Sequence, residues 1–274
     1  MHVVMMLAHK DKEQLALLID YYCQHEVGVV VHIDAKQEQL HQALSQHYAG
    51  NERVVVLERP VRVNWSGVSL VEAERRLMRS ALTCFPEAEY FHLVSGDCLP
   101  VLPPAQWASI LQGRTSLESR RLPEFEWRMR CYMPFGESPK NRTFAYRLTS
   151  LALRKLQLML LPKRSNFGAE AELKGSQWFS MTCSDMKAVD AACDDAFMKR
   201  LKHTRCSDEH FMQILFAELG LDFDNDDRRY IQWESGKASP EYLNDRQISE
   251  AAKSRTYLFA RKVQREQMQT FLTS

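Results

Sequence analysis

The stretch Gly28-Val29-Val30-Val31-His32-Ile33-Asp34 decides how this chain is to be read. Its β-branched residues follow one another without the polar alternation of a half-exposed strand, so it reads as a strand buried on both faces. Val3 to Leu7 repeats the signal upstream and Arg53 to Leu57 repeats it downstream. Between them, Gln14 to Tyr22 carries leucines and an isoleucine at helical spacing, and Gln37 to His47 reads as a polar helix. Strands alternating with helices make βαβ units. The expected fold class is therefore α/β, a Rossmann-like, mostly parallel sheet flanked by helices.

Ligands of such sheets collect beyond the carboxyl ends of the strands. Ala8-His9-Lys10, His32-Ile33-Asp34 and Ser95-Gly96-Asp97 are thus expected to converge on one crevice. The last of these closes a central strand, with Gly96 permitting a tight turn, Asp97 at its tip and Pro100 ending the run. The ten glycines spell neither G-x-G-x-x-G nor G-x-x-x-x-G-K-[ST], which argues against a dinucleotide dehydrogenase and a P-loop NTPase.

Charge narrows the partners further. Lysine and arginine total 36 against 35 acidic residues, without the basic excess of a general nucleic-acid binder. The seven cysteines are scattered and odd in number, a pattern of reduced thiols rather than a disulfide framework. His203, Cys206 and His210 fit no zinc spacing. The apolar start from His2 to Ala8 is too short for a signal-peptide core or a membrane span, so a cytoplasmic location is expected.

Farther along, the polar loop Arg62 to Gly67 contains Trp65 and leads into a helix from Ser69 to Leu82. Arg120 to Arg147 interleaves aromatics with arginines, as a binding loop or as a surface excursion. Leu148 to Leu161 is strongly apolar and is flanked by basic residues including Arg147, Lys163 and Arg164. It reads as a core helix or as a segment resting on a membrane surface. Ser184 to Leu201 reads as one amphipathic helix capped by Ser184 and Asp185.

In Ser207-Asp208-Glu209-His210-Phe211, Ser207 and Asp208 are helix N-cap types, and Phe211, Ile214, Leu215 and Leu219 form an apolar stripe. Glu209 then falls in the first helical turn, as a dipole-complementing acid or as an oriented functional carboxylate. Asp222 to Asp227 holds two overlapping Asp-x-Asp pairs, read as an acidic loop, with a metal site at Asp222 and Asp224 as the rival. Tyr230 to Trp233 reads as a last short strand, and Leu258 to Lys262 closes the ordered part.

Seven separated motifs together resemble the core-2/I-branching β-1,6-N-acetylglucosaminyltransferases and the related peptide O-xylosyltransferases. They are Leu7-Ala8-His9-Lys10, Val31-His32-Ile33-Asp34, Val63-Asn64-Trp65-Ser66-Gly67, Ser95-Gly96-Asp97-Cys98-Leu99-Pro100, Gly175-Ser176-Gln177-Trp178, Ser207-Asp208-Glu209-His210-Phe211 and Leu258-Phe259-Ala260-Arg261-Lys262. They follow the family's order over nearly the whole chain, and the ordered set is specific where each alone is weak.

The resemblance implies a GT-A glycosyltransferase fold in one domain over 1–274, with a nucleotide-binding half at about 1–100 and an acceptor-binding half at about 101–274. It implies an inverting transfer from a UDP-sugar without a metal or other cofactor; taken with the short apolar start, a bacterial cytoplasmic-face enzyme of surface-glycan synthesis is expected, acting on an oligosaccharide or lipid-linked glycan. Glu209 matches the family's catalytic base and Lys262 a lysine on the diphosphate, while Arg261 is left as surface charge. His9, His32, Asp34, Trp65 and Asp97 match the donor side; Glu118, Trp178 and Trp233 resemble the acceptor side. The chain departs from the pattern at Ser239-Pro240, which is followed by Glu241 instead of a basic residue, so Lys237 or Arg246 is expected to substitute. Peripheral contact with the inner membrane face is expected from the basic apolar segment.

Overall fold

The computed structural model describes residues 1–141, 143–160, 164, 166–234, 236–237 and 239–273. Leu161 and Lys163, which belong to the apolar basic segment, lie outside the described residues. The strands are β1 (His2–Ala8), β2 (Gly28–Ile33), β3 (Val54–Val56), β4 (Tyr90–Ser95), β5 (Cys98–Pro100), β6 (Ser116–Leu117), β7 (Arg120–Arg121), β8 (Leu173–Lys174), β9 (Phe179–Thr182), β10 (Arg229–Ile231) and β11 (Phe259–Arg261). The helices are α1 (Lys12–Gln24), α2 (Glu38–His47), α3 (Val68–Cys84), α4 (Trp107–Leu111), α5 (Trp127–Arg130), α6 (Phe144–Leu160), α7 (Cys183–Ala192), α8 (Asp195–Leu201), α9 (Phe211–Leu219), α10 (Asp245–Ser254) and α11 (Arg265–Leu272).

A six-stranded sheet in the order β3-β2-β1-β4-β9-β6 forms the centre. Its β3, β2, β1 and β4 run parallel, while β9 returns antiparallel to both β4 and β6. Alternate residues of β1 serve opposite faces: Val4 and Met6 pack with α1 and α2, and Val3 and Met5 pack with α3, α7 and α9. Both faces are therefore covered, which is why β1 and β2 read as unbroken apolar runs. A second sheet, β10-β11-β5, runs parallel between β10 and β11 and antiparallel between β11 and β5.

Arg229 fastens the two sheets together. Its buried guanidinium donates to the carbonyls of Leu93 (3.0 Å) and Phe179 (2.5 Å), to Ser180 Oγ (2.9 Å) and to the Asp227 carbonyl. Desolvation pulls its pKa down to about 10, so it stays charged at neutral pH.

Several expectations change at the helix ends. The segment from Ser184 to Leu201 is two helices: Thr182 caps α7 through Asp185 N–H, and Asp194 starts α8 by capping Phe197 N–H. The apolar basic segment is a helix, α6, but not a core helix. Phe144 is 76% exposed, Leu148 50% and Met159 79%, so much of its apolar surface faces outward. Among the described residues no helix is long and apolar enough to cross a membrane.

Candidate functional site

A cleft of about 800 Å³ opens where the β6–β7 and β8–β9 segments, the turn before α9, and the loops around β10 and β11 meet. Glu118, Lys174, Trp178, Glu209, Trp233 and Arg261 line it, and Trp65 reaches it from the loop before α3.

Glu209 does not occupy the first turn of an α-helix. Ser207–Glu209 is a separate 3-10 turn, entered through Cys206 in a left-handed conformation (φ 50°), and α9 starts only after His210. Neither Ser207 nor Asp208 caps α9, because the His210 backbone (φ −131°) interrupts the helical path between them. The turn is held on three sides. Cys206 N–H donates to the Ser66 carbonyl (2.9 Å), and Gly175 N–H donates to the Glu209 carbonyl (2.9 Å). His210 Nδ1 donates to the Leu173 carbonyl (2.7 Å), and burial lowers its pKa to about 3, leaving the ring neutral.

This anchoring presents a half-buried carboxylate. Arg128 and Lys174 both grip Glu209 Oε2, at 2.5 and 3.0 Å, and no described residue is partnered with Oε1. Burial alone would raise its pKa, but the two cations outweigh that and lower it, so the group is ionised at neutral pH. The arrangement fixes one oxygen and leaves the other for a ligand.

Beside it, Asp208 lines the cleft and Glu74 lies buried as its acidic neighbour. Glu74 on α3 is fully buried, accepts from Gln177 Nε2 (2.8 Å) through Oε1 and leaves Oε2 without a partner. Asp208 Oδ1 is likewise buried and unpaired. Desolvation, with the Glu209 charge adding to it, pushes Asp208 up to about 7. An unfolded aspartate ionises near pH ~4. The native chain thus binds more protons between about pH 4 and 7, and Asp208 stabilises the fold at low pH and ceases to do so as pH rises through 7. Asp208→Asn should therefore raise the melting temperature at pH 8 and reduce the difference between pH 5 and pH 8. A variant less stable than the parent at pH 8 would contradict this.

On the cationic side, Arg261 is not mere surface charge. Its guanidinium lies 4.5 Å from the centre of the Trp178 ring and donates to Ser95 Oγ. It borders both the main cleft and a smaller one formed by His9, Gly96 and Asp97 at the ends of β1 and β4. Lys262 stands one contact behind the wall, donating to Ser239 Oγ (2.5 Å), and Ser239 lines the cleft.

The remaining predicted residues divide. His9 and Asp97 do converge, and Asp97 is held by Lys10 (3.2 Å) and Gln14 Nε2 (3.3 Å). Asp34 organises the approach to Trp65, since its Oδ1 accepts from Lys36 N–H (3.0 Å) and Val63 N–H (3.4 Å). His32 does not line the crevice. It is buried, its Nε2 accepts from Val61 N–H (2.8 Å), and desolvation drops its pKa to about 4, so it is a neutral latch between β2 and the Val61 loop.

Glu118 and Trp233 border the cleft, Glu118 paired with Arg120 at 2.9 Å and Trp233 60% exposed. Trp178 is mostly buried and serves as the platform for Arg261. Neither proposed substitute for the missing basic residue is in the cleft wall: Lys237 is exposed between Glu234 and Glu241, and Arg246 pairs with Glu250 on α10. The basic residues that do line the cleft are Arg120, Lys174, Arg229 and Arg261.

The rival metal ligands are engaged elsewhere. Arg114 holds Asp222 (3.3 Å) and Asp224 (2.8 Å), and neither acid lines the cleft. Among the described residues no group of three or more His, Cys, Asp or Glu side chains is placed to hold an ion.

Sequence reading missed Arg128, Lys174 and Gln213. The first two lie 81 and 35 positions from Glu209 in the sequence, and no local pattern links them. Gln213 falls outside the apolar stripe of α9, on the opposite side of the helix, yet it is 1% exposed, and its Nε2 donates to the carbonyls of Glu118 and Ser176, both at 3.0 Å. An amide set between apolar neighbours on both sides, Met212 and Ile214, was the available signal.

Residues 4–255 match the family described as Core-2/I-Branching enzyme, and the chain belongs to that family. It is accordingly a glycosyltransferase, acting between a sugar donor and a glycan acceptor. No curated protein matches the sequence. One similar solved structure is that of a glycosyltransferase involved in the glycosylation of the major capsid of PBCV-1, with 10% identity over 100% of both chains and a TM-score of 0.38. At that distance the likeness adds nothing about this chain.

Proposed function

We propose that the chain moves N-acetylglucosamine from a UDP-sugar to a hydroxyl of a glycan acceptor, with inversion and without a metal ion. The observation that carries this reading is the pinned Glu209 carboxylate, with Oε1 unpartnered among the described residues, in a cleft that also contains Arg261. An acceptor hydroxyl hydrogen-bonded to Oε1 becomes a nucleophile as its proton passes to Glu209. Its oxygen bonds to the anomeric carbon from the face opposite the diphosphate, the bond from that carbon to the diphosphate oxygen breaks, and UDP departs with the electron pair.

Fixed cations stabilise the charge that grows on the departing diphosphate. Arg261 and Lys262 have that role here. Arg128 and Lys174 keep Glu209 ionised before substrate arrives; displacement of water by the bound substrates then raises its proton affinity. The choice of N-acetylglucosamine rests on the motif resemblance. The ion pairs of Asp222 and Asp224 with Arg114 support a metal-free reaction over one that uses those acids.

The test is UDP release from a panel of UDP-sugars in excess EDTA, with and without simple sugar acceptors. Release from UDP-N-acetylglucosamine is expected to survive the chelator. Activity restored only by added metal would overturn the metal-free reading, and no release from any donor would overturn the UDP-sugar assignment. Arg261→Ala and Lys262→Ala should each weaken UDP binding about tenfold, in line with the loss of a charge-assisted hydrogen bond. Unchanged UDP affinity in both variants would remove them from the diphosphate.

A further inference from the structure

A second groove, of about 610 Å³, runs from the candidate active site along α6. Trp65 borders both cavities, and Arg128, which grips Glu209, forms part of the second groove's wall. The two are therefore adjoining compartments.

The groove has a composite lining. Trp127, Met133, Phe144, Leu148 and Leu151 supply apolar surface, while Arg128, Arg147, Arg154 and Arg205 supply positive charge. No Asp or Glu is among the described residues that line it. Arg154 stacks on Trp127 (4.5 Å), but Arg147 is exposed and makes no ion pair or hydrogen bond through its side chain with a described residue. The sequence agrees: from Ser138 through Ala169 there is no acidic residue. Exposed leucines and phenylalanine on one helix cost solubility unless something covers them, and unpaired arginines select an anion. Along α6 the groove is lined from Phe144 to Arg154, a run of about 15 Å that is longer than a sugar ring needs.

We propose that this groove binds the hydrocarbon chain and phosphate of a lipid-linked acceptor, whose glycan end enters the neighbouring cleft at Glu209. The inference rests on the glycosyl-transfer reading above and names its acceptor class. Arg147, Arg154 and Arg205 take the phosphate oxygens, and the apolar wall takes the first part of the chain. A free sugar acceptor would engage the first cleft alone.

Tryptophan fluorescence provides the test, because Trp65 and Trp127 both border the groove. The probes are farnesyl diphosphate, inorganic diphosphate and farnesol, each titrated in the presence of saturating UDP. Farnesyl diphosphate is expected to bind at least tenfold more tightly than either fragment. The double variant Leu148→Asn with Leu151→Asn, and separately Arg147→Gln with Arg154→Gln, should each weaken that binding about tenfold while leaving UDP affinity unchanged.

Equal binding of inorganic diphosphate would reduce the site to an anion patch and overturn the proposal. Displacement of farnesyl diphosphate by UDP would assign it to the donor cleft and overturn it as well. Sedimentation with phosphatidylglycerol vesicles that farnesyl diphosphate fails to compete away would indicate a membrane-binding face in its place. UDP release on simple sugars is unaffected by any of these failures, so it separates the acceptor proposal from the transferase reading.

Discussion

Glu209→Gln is expected to lower the transfer rate by about 10²–10⁴-fold, the usual contribution of a positioned general base, with UDP affinity nearly unchanged. The substitution is nearly isosteric. An amide can still receive the Arg128 hydrogen bond through its oxygen, so the turn and the cleft should persist. What is lost is the oxygen able to accept a proton from the acceptor hydroxyl. Single-turnover UDP release beside calorimetric UDP binding separates these quantities. Full turnover in the variant would remove Glu209 from the chemistry, whereas a parallel loss of UDP affinity would show that the residue holds the cleft together.

Gly175→Ala is the second large effect. A Cβ built on Gly175 would overlap the backbone carbonyl of Glu118 and lie 2.8 Å from Gln213 Nε2. The obstacle is main chain, which cannot rotate away, so the β8–β9 segment must shift. Overpacking of this kind typically costs ~1–3 kcal/mol, and the upper end is expected here because backbone must move. Gly175 N–H also holds the Glu209 carbonyl, so the shift is transmitted to the carboxylate. A displacement of about 1 Å at such a group costs on the order of 10²-fold in rate. Chemical denaturation and steady-state rates measured on the same preparation check both halves. Parental stability and rate in this variant would show that the Gly175 contact is not needed.

These two positions show what the sequence discloses and what it hides. The strands β1, β2 and β4 were legible because burial on both faces leaves an uninterrupted apolar run, and the carboxyl ends of β1 and β4 do meet, at His9 and Asp97. Helix ends were harder. Ser207 and Asp208 carry cap chemistry, but the turn they begin closes after Glu209, and α9 restarts beyond His210. The local residue types favour a cap equally in either geometry; the difference is set by contacts to Leu173, Gly175 and Ser66, each distant in sequence.

Charge roles were the least legible. Arg261 and Lys262 are neighbours, and nothing in their own chemistry says which one enters the cleft wall. The ring of Trp178 decides it by holding the Arg261 guanidinium. His32 shows the converse case: an imidazole at a strand end looks like a ligand contact until its acceptor nitrogen is found already engaged by Val61. For α6, the sequence left a core helix and a membrane-surface segment open, because an apolar pattern gives the width of a stripe but not what covers it.

The most direct test is a crystal structure of the chain bound to UDP. The diphosphate is expected against Arg261 and Lys262, with the Glu209 carboxylate facing the space where the anomeric carbon of a donor would lie. UDP bound on another surface, or bound so that Glu209 and those two cations stand on opposite sides of intact protein, would contradict the account.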